Sequence, residues 1–375
     1  MLRKNITLII MSAGESLRFR ENISIKKQWI RIDNKPMWLY VADLFQERYN
    51  FSKVIITASF RDIAYMKRFC DYEIVQGGNS RQESLQNALK YVNSEFVAVS
   101  DAARCNLDFE VLDNLFAYNL DSIDCLIPTI GVSDTIFLES NGNKNYLNRD
   151  NIHLVQTPQI SRVQTLLEAI KLGDFSDESS AINNYGGKVV SIKGSKILDK
   201  ITFLDDLKKL NISNNNDTFI GYGFDVHRFC KNKDMYLGGV KIPCSFGLEA
   251  HSDGDVVIHS LCDALLGAIG AGDIGEWFPP DDEKYDNIDS KILLKEVATF
   301  INSVGFRIVN IDIMIMAQVP KILPYKDEMV EIFSNILNLQ RQYINIKATT
   351  MEKLGFVGRS EGVCVSSSVS LKLFL

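Results

Sequence analysis

Along residues 1–210, short apolar runs alternate with segments whose apolar positions recur every three to four residues. The runs "ITLIIM" (6–11), "KVIITAS" (53–59), "FVAVSD" (96–101) and "DCLIPT" (124–129) are nearly uninterrupted, as strands buried on both faces require. "MWLYVADLFQER" (37–48), "RQESLQNALKYV" (81–92) and "LDFEVLDNLF" (107–116) each show the periodicity of an amphipathic helix. That alternation predicts a doubly wound, Rossmann-like α/β domain with a parallel sheet, its ligands at the carboxyl ends of strands. The asparagine-rich stretch "NISNNNDT" (211–218) has no periodicity and reads as a linker over 211–217. The pattern then changes. Apolar helices near Val256–Ile269 and Lys291–Asn302 precede long strands at "RIVNIDIMIMAQV", "YINIKATT" and "GVCVSSSVSLKLF", which predicts a second, α+β domain over 218–375. No internal repeat is visible.

At 375 residues the chain is comfortable for two cores, and 46% apolar with 23% charged residues is ordinary for a soluble globular protein. A formal charge of −6 argues against a nucleic-acid footprint but not against phosphorylated small molecules, whose sites need only a few placed cations and amides. The seven cysteines are scattered and never spaced CxxC, which points to reduced thiols in a cytoplasm. Basic residues precede the apolar run at the amino terminus. That run is short for a signal sequence, and Ser12-Ala13-Gly14-Glu15 interrupts it, so a buried strand is the better reading. No segment approaches a membrane span, and no membrane is expected.

Of four histidines, three (His227, His251 and His259) share a neighbourhood with Asp225, Asp253, Asp255 and Asp263. Asp225 and His227, two apart on a strand, point to one face. His259 lies in an apolar helix with Asp255 one turn before it and Asp263 one turn after. Asp225, His227 and His259 make a sound three-ligand zinc set with an open position, which Asp255 or Asp263 would orient through His259. His251, in the loop "AHSDGD", suits a phosphate contact. Against this, a lone buried histidine is usually only hydrogen-bonded, and Asp253 or Asp255 suits a helix cap. From spacing alone the two readings stand level.

The first strand runs into "MSAGESLRFRENISIKKQW", where small residues followed by Arg18, Arg20, Lys26 and Lys27 suit a nucleotide triphosphate. The stretch is not GxGxxG, and no P-loop occurs in the chain; a solvated basic loop is the commoner meaning of such a stretch. In "VQGGNSRQESLQNAL", Gly77-Gly78 permits close backbone approach, and Asn79 or Ser80 can cap the next helix. In "FVAVSDAARCNL" a strand ends in Asp101 with Arg104 beyond it.

"GYGFDVHRF", "LGGVKIP", "GLEAHSDGDVVIHSLCDALLGAIGAGDIGEWFPP", "MAQVPKILP" and "IKATTMEKLGFVGRSEG" together resemble methylerythritol cyclodiphosphate synthase, across nearly all of 219–375. The three amino-terminal signals, with "SDTI", "YLNRDNIHLVQTPQ", "FSDESSAI" and "ILDKITFLDDL", resemble methylerythritol phosphate cytidylyltransferase to about residue 207. The resemblance implies a bifunctional enzyme of the non-mevalonate isoprenoid pathway. One half transfers CMP from CTP to methylerythritol 4-phosphate; the other cyclises CDP-methylerythritol 2-phosphate with loss of CMP. A kinase acts between the two steps, so fusion does not imply channelling.

For the first half, the resemblance implies that Arg18 and Lys27 stabilise the transition state and that Arg149 and Lys200 steady the substrate phosphate. Ala13, Gly14, Gly78, Asn79, Arg81, Ser84, Asp101, Ala103, Arg104, Thr135 and Thr157 match further substrate contacts, with magnesium on the triphosphate. Departures are Met11, Ser16 and Cys105, and Lys26 in place of a proline. For the second half it implies zinc on Asp225, His227 and His259, the first two also touching substrate, and magnesium or manganese on Glu352. His251 and Thr350 match transition-state contacts. Ala317–Leu323 and Ala348–Thr350 match a cytidine pocket, including Ala317, Lys321 and Thr349. Ser252, Asp273, Ile274, Gly275, Phe278, Asp282, Phe356 and Arg359 match other substrate positions, although for Phe356 core packing is the better reading from sequence. Such cyclases are trimers and such transferases dimers, which implies a homo-oligomer, by analogy a hexamer. Two rivals are a sugar-nucleotide pyrophosphorylase fused to a metallohydrolase, and a non-catalytic module sensing isoprenoid diphosphates. Intact Asp225, His227, His259 and Glu352 speak against the second.

Overall fold

The uninterrupted apolar runs become the centre of an eight-stranded sheet. In the computed structural model, which describes residues 5–374 apart from 22, 211–215, 251 and 280, the chain divides into two compact units, 1–213 and 214–375. The linker expected at 211–217 therefore lies largely outside the described residues. In the first unit the strands stand in the order His153–Val155, Cys125–Gly131, Gln159–Arg162, Phe96–Asp101, Ile6–Met11, Val54–Ala58, Glu73–Gln76, with Val189–Lys193 also on Cys125–Gly131. Ile6–Met11 pairs parallel with both Val54–Ala58 and Phe96–Asp101, so the chain reverses direction across the sheet at that strand. A crevice opens outside the carboxyl ends at such a point.

The expected parallel sheet needs correction: Gln159–Arg162 pairs antiparallel with both its neighbours, making the sheet mixed. Its segment "QISR" is too short and polar to stand out, yet it is buried in mid-sheet. Ile9, Ile55, Val97, Val99 and Ile127 form the core with Leu85 and Leu166 from the covering helices. Outside the core, Ile136–Ser140 and Asn143–Leu147 form a hairpin that leaves Phe137, Leu138 and Tyr146 exposed.

The second unit is a five-stranded sheet in the order Gly247–Leu248, Thr218–Cys230, Gly362–Leu373, Phe306–Met316, Ile344–Thr349, of which only the last pair is parallel. The helix Val256–Ala268 packs on Thr218–Cys230 and Gly362–Leu373, and Ser290–Ser303 packs on that helix. Close approach explains two glycines. A Cβ on Gly221 would meet Ala264 O at 1.9 Å, and one on Gly223 would meet Ser260 O at 2.0 Å. Alternation leaves Ile220, Tyr222, Phe224 and Val226 exposed on the opposite face.

Candidate active sites

In the first unit the loops after Ile6–Met11, Val54–Ala58, Glu73–Gln76 and Phe96–Asp101 surround a cleft of about 900 Å³. Ala13, Gly14, Arg18, Lys27, Gly78, Asn79, Arg81, Ser84, Asp101, Ala103 and Lys200 all line it. Local chemistry shapes these loops. Gln28 Nε2 donates to Ser12 O (3.0 Å) and Gly14 O (2.9 Å), while Ser16 Oγ donates to Gln28 Oε1 (2.9 Å). Ser80 caps the helix Arg81–Leu89 by accepting from Glu83 N, and Ser84 Oγ donates to Ser80 O while accepting from Gly78 N. Gly77 lets the loops meet, since a Cβ there would lie 2.4 Å from Ala13 Cβ.

Charged groups run through the cleft wall in sequence. Fully buried Glu178 accepts two bonds from Arg81 (2.7 and 3.2 Å), Arg81 Nε lies 3.6 Å from Asp101, and Lys200 Nζ lies 2.6 Å from Asp101. Burial works against the Asp101 charge, but Lys200 and Arg81 outweigh it and hold the carboxyl below its usual range. Lys27 donates to Ile201 O (3.1 Å); burial, and then repulsion from Lys200, pull its ammonium down to about 8. Sequence reading missed Glu178, Gln28 and Asp62, whose carboxylate accepts from Lys26 Nζ (3.2 Å); partners distant along the chain leave no local signal.

Four of the expected residues stand outside the cleft lining. Thr157 Oγ1 accepts from Asp101 N (3.1 Å), anchoring the strand end, and Arg104 donates to Leu198 O. Thr135 and Arg149 are exposed at the base of the hairpin, Arg149 donating to Ser133 O (2.7 Å).

In the second unit Asp225 and His227 share a strand face as their spacing requires, and His259 meets them from the first turn of the helix above. Asp225 Oδ2 lies 2.9 Å from His227 Nε2 and 3.4 Å from His259 Nδ1, a set close enough to hold one metal ion. The outer nitrogens are engaged: His227 Nδ1 with Glu249 O (2.9 Å), His259 Nε2 with Ser290 Oγ (3.1 Å) and Ser252 Oγ (3.2 Å). Ser290 Oγ donates in turn to Asp253. This arrangement leaves His227 Nε2 and His259 Nδ1 as the inward lone pairs that metal ligation needs. Burial opposes the charge on Asp225, but the two imidazoles outweigh it and hold its carboxyl well below the carboxylate range.

Two expectations are corrected here. Neither Asp255 nor Asp263 orients His259. Buried Asp255 caps its own helix at Val257 N and Ile258 N and accepts from Gly238 N and Gly239 N; Asp263 accepts from Ile274 N. Phe356, expected in the core, is 42% exposed, whereas Phe278 is buried against Tyr285. His251 lies outside the described residues. Its loop is held by Lys233, whose ammonium donates to Ala250 O (2.9 Å) and Ser252 O (2.6 Å).

The remaining expected positions sit on neighbouring loops. Asp273 caps the turn Ile274–Trp277 that carries Gly275, and Asp282 accepts from Lys284 N. Ala317 N donates to Thr349 O (3.0 Å), joining the two loops of the expected cytidine pocket, with exposed Lys321 on the first. Thr350 Oγ1 donates to Glu352 Oε1 (2.9 Å), and Arg359 pairs with Glu361 (2.7 Å). His227 pairs with Val363 and Met316 with Thr349, at one end of the sheet; three strand spacings put Thr349 about 14 Å from His227.

Residues 6–212 match the family model for 2-C-methyl-D-erythritol 4-phosphate cytidylyltransferase, and residues 218–372 match that of the YgbB family. The chain is 48% identical over 370 residues to the "Bifunctional enzyme IspD/IspF" of Wolinella succinogenes (98% of this chain, 96% of the relative). To the protein of the same name from Aliarcobacter butzleri it is 46% identical over 374 residues, covering 99% of this chain and 98% of that one. The solved structure of the bifunctional IspDF from Campylobacter jejuni superposes with a TM-score of 0.84 at 45% identity, covering 99% of both chains.

Proposed function

The chain belongs to the bifunctional IspD/IspF family, and we propose that its two clusters carry the family's two reactions as follows. The protein is a methylerythritol phosphate cytidylyltransferase and cyclodiphosphate synthase of isoprenoid precursor synthesis. The transferase is assigned to 1–210 and the cyclase to 218–375. In the cleft of the first unit, CTP lies with its triphosphate toward Arg18 and Lys27, and the substrate phosphate attacks the α-phosphorus while pyrophosphate leaves. Placed cations serve the charge spread over the transferring group, which is most of what phosphoryl transfer asks of a protein. Glu178 and Asp101 hold Arg81 and Lys200 at the cleft wall, so these cations meet the substrate without first reorganising. Magnesium accompanies the triphosphate.

In the second unit Asp225, His227 and His259 hold zinc. The observation that carries this is the convergence of Asp225 Oδ2, His227 Nε2 and His259 Nδ1, with both outer nitrogens already bonded. When bound, zinc supplies a Lewis acid for the β-phosphate. Glu352 takes the second cation, magnesium or manganese, and Thr350 and His251 contact the reacting phosphates. Thr350 and Glu352 lie across the sheet from the triad, and Tyr222, Phe224 and their neighbours form an exposed apolar face. Both features favour a site completed by another copy in a trimer. Exposed Thr135 and Arg149, beside an apolar hairpin, favour the same arrangement in a transferase dimer. No helix among the described residues is long and apolar enough to cross a membrane, and seven unpaired cysteines favour the cytoplasm.

The test is Lys27→Ala and His259→Ala in the full chain, each assayed for both reactions. Lys27→Ala cuts cytidylyl transfer about a hundredfold or more and spares cyclisation. His259→Ala loses bound zinc and cyclisation and spares transfer. Loss of both activities in either variant, or of neither, refutes the assignment.

A further inference from the structure

One anion faces the cleft among the cations of its first loop. Glu15 lines the cleft together with Arg18 and Lys27, the cations assigned above to the triphosphate. Its carboxylate is drawn to Lys26, whose Nζ lies 3.0 Å from Glu15 Oε1; Arg20 Nη1 stands 3.4 Å from the other oxygen. Lys26 is buried and held from behind. Its ammonium also meets Asp62 Oδ2 (3.2 Å) and Oδ1 (3.4 Å) and Ser59 Oγ (3.2 Å). Asp62 is buried too, sits on the helix Phe60–Met66, and accepts from Trp29 Nε1 (3.3 Å). The ammonium thus sits between the buried Asp62 carboxylate and the Glu15 carboxylate at the rim of the cleft. The loop backbone has other ties, through the Gln28 bonds to Ser12 O and Gly14 O. What Lys26 adds is charge and direction at Glu15.

We propose that Lys26 is a positioning residue of the transferase site, which draws the Glu15 carboxylate to the wall and neutralises it so that the triphosphate meets Arg18 and Lys27 unopposed. The proposal rests on the cleft being the CTP site. An unscreened carboxylate within several ångströms of a polyphosphate, in a partly buried cleft, costs on the order of tenfold in affinity. Without Lys26, only the more exposed Arg20 offsets Glu15, which then repels CTP in the ground state and the transition state alike, so the effect falls on KM rather than kcat.

The experiment is steady-state cytidylyl transfer by the full-length protein with CTP varied. Lys26→Met raises the KM for CTP about tenfold with kcat within about twofold. Lys26→Met/Asp62→Asn, which leaves no buried carboxylate unpaired, does the same. Adding Glu15→Gln to either returns KM to within about twofold of the unaltered protein, a rescue that a merely structural lysine would not show. Glu15→Gln alone, which strands no buried group, leaves KM unchanged or lower. An unchanged KM in folded Lys26→Met/Asp62→Asn, a defect that Glu15→Gln does not repair, or a raised KM in Glu15→Gln alone overturns the proposal. Full transfer by Lys27→Ala fails the premise instead, because the cleft is then not the CTP site.

Discussion

Lys27 is a cation held at the edge of neutrality, and the pH dependence of transfer exposes it. Half-buried in the cleft wall and close to Lys200, its ammonium is pulled from 10.5 to about 8, with Asp101 offsetting only part of the effect. A group with that value is roughly nine-tenths charged at pH 7 and roughly one-tenth charged at pH 9. The kcat/KM for CTP reports ionisations of the free enzyme. It therefore falls above pH 8, approaching about tenfold per pH unit, if the charged form of Lys27 is the one that serves the developing phosphoryl charge. A lysine at its ordinary value would leave the profile flat to about pH 10. Lys27→Arg is the diagnostic perturbation. A guanidinium stays charged throughout, so the variant is slower overall, because its geometry differs, but it loses the falling limb. Cyclisation assayed in the same samples controls for alkaline unfolding. A profile flat to about pH 9.5 in the unaltered protein, or the same falling limb in Lys27→Arg, refutes the reasoning.

Two further outcomes follow from the cyclase unit. Ser290→Ala removes the hydroxyl between His259 Nε2 and Asp253 and weakens zinc binding by about tenfold or more in chelator competition, leaving transfer untouched; undiminished affinity would show that Ser252 alone orients the ring. Gly223→Ala puts a Cβ 2.0 Å from Ser260 O, so the helix must lift from the sheet. The cyclase unit then loses about 3 kcal/mol or more, or fails to fold, while the thermal transition of the first unit stays in place; a normal second transition would refute the clash.

Legibility followed the range of the interactions. Strands such as Phe96–Asp101 were readable because burial on both faces demands an unbroken apolar run, whereas Gln159–Arg162 has no such run and is recruited by neighbours far along the chain. The cleft residues, cations included, were readable as lying on loops at strand ends. What holds those cations was not, because Glu178 is 97 residues from Arg81 and Asp62 is 36 from Lys26. The error over His259 has the same origin. Asp255 and Asp263 are its neighbours by helical period, but Asp255 is consumed by four backbone amides, and the hydroxyls at the ring come from Ser252 and, 31 residues on, Ser290.

The cluster of Asp225, His227 and His259 was the most legible feature because one period of two sets the packing of its strand and puts both strand members on one face. In "GYGFDVH" the positions 221, 223, 225 and 227 share the face of Thr218–Cys230 that meets the helix. At 221 and 223 glycine is required, since the helix backbone passes within reach of a Cβ. That contact fixes the separation of helix and strand at a backbone distance rather than a side-chain distance. Two residues on, beyond the closest approach, the same face carries Asp225 and then His227, and the first helical turn carries His259. With the helix drawn so close, Asp225 Oδ2 and His259 Nδ1 stand 3.4 Å apart without either side chain reaching across a gap. A larger residue at 223 would lift the helix and draw His259 away from the strand, so the two glycines help to hold the Asp225–His227–His259 cluster together.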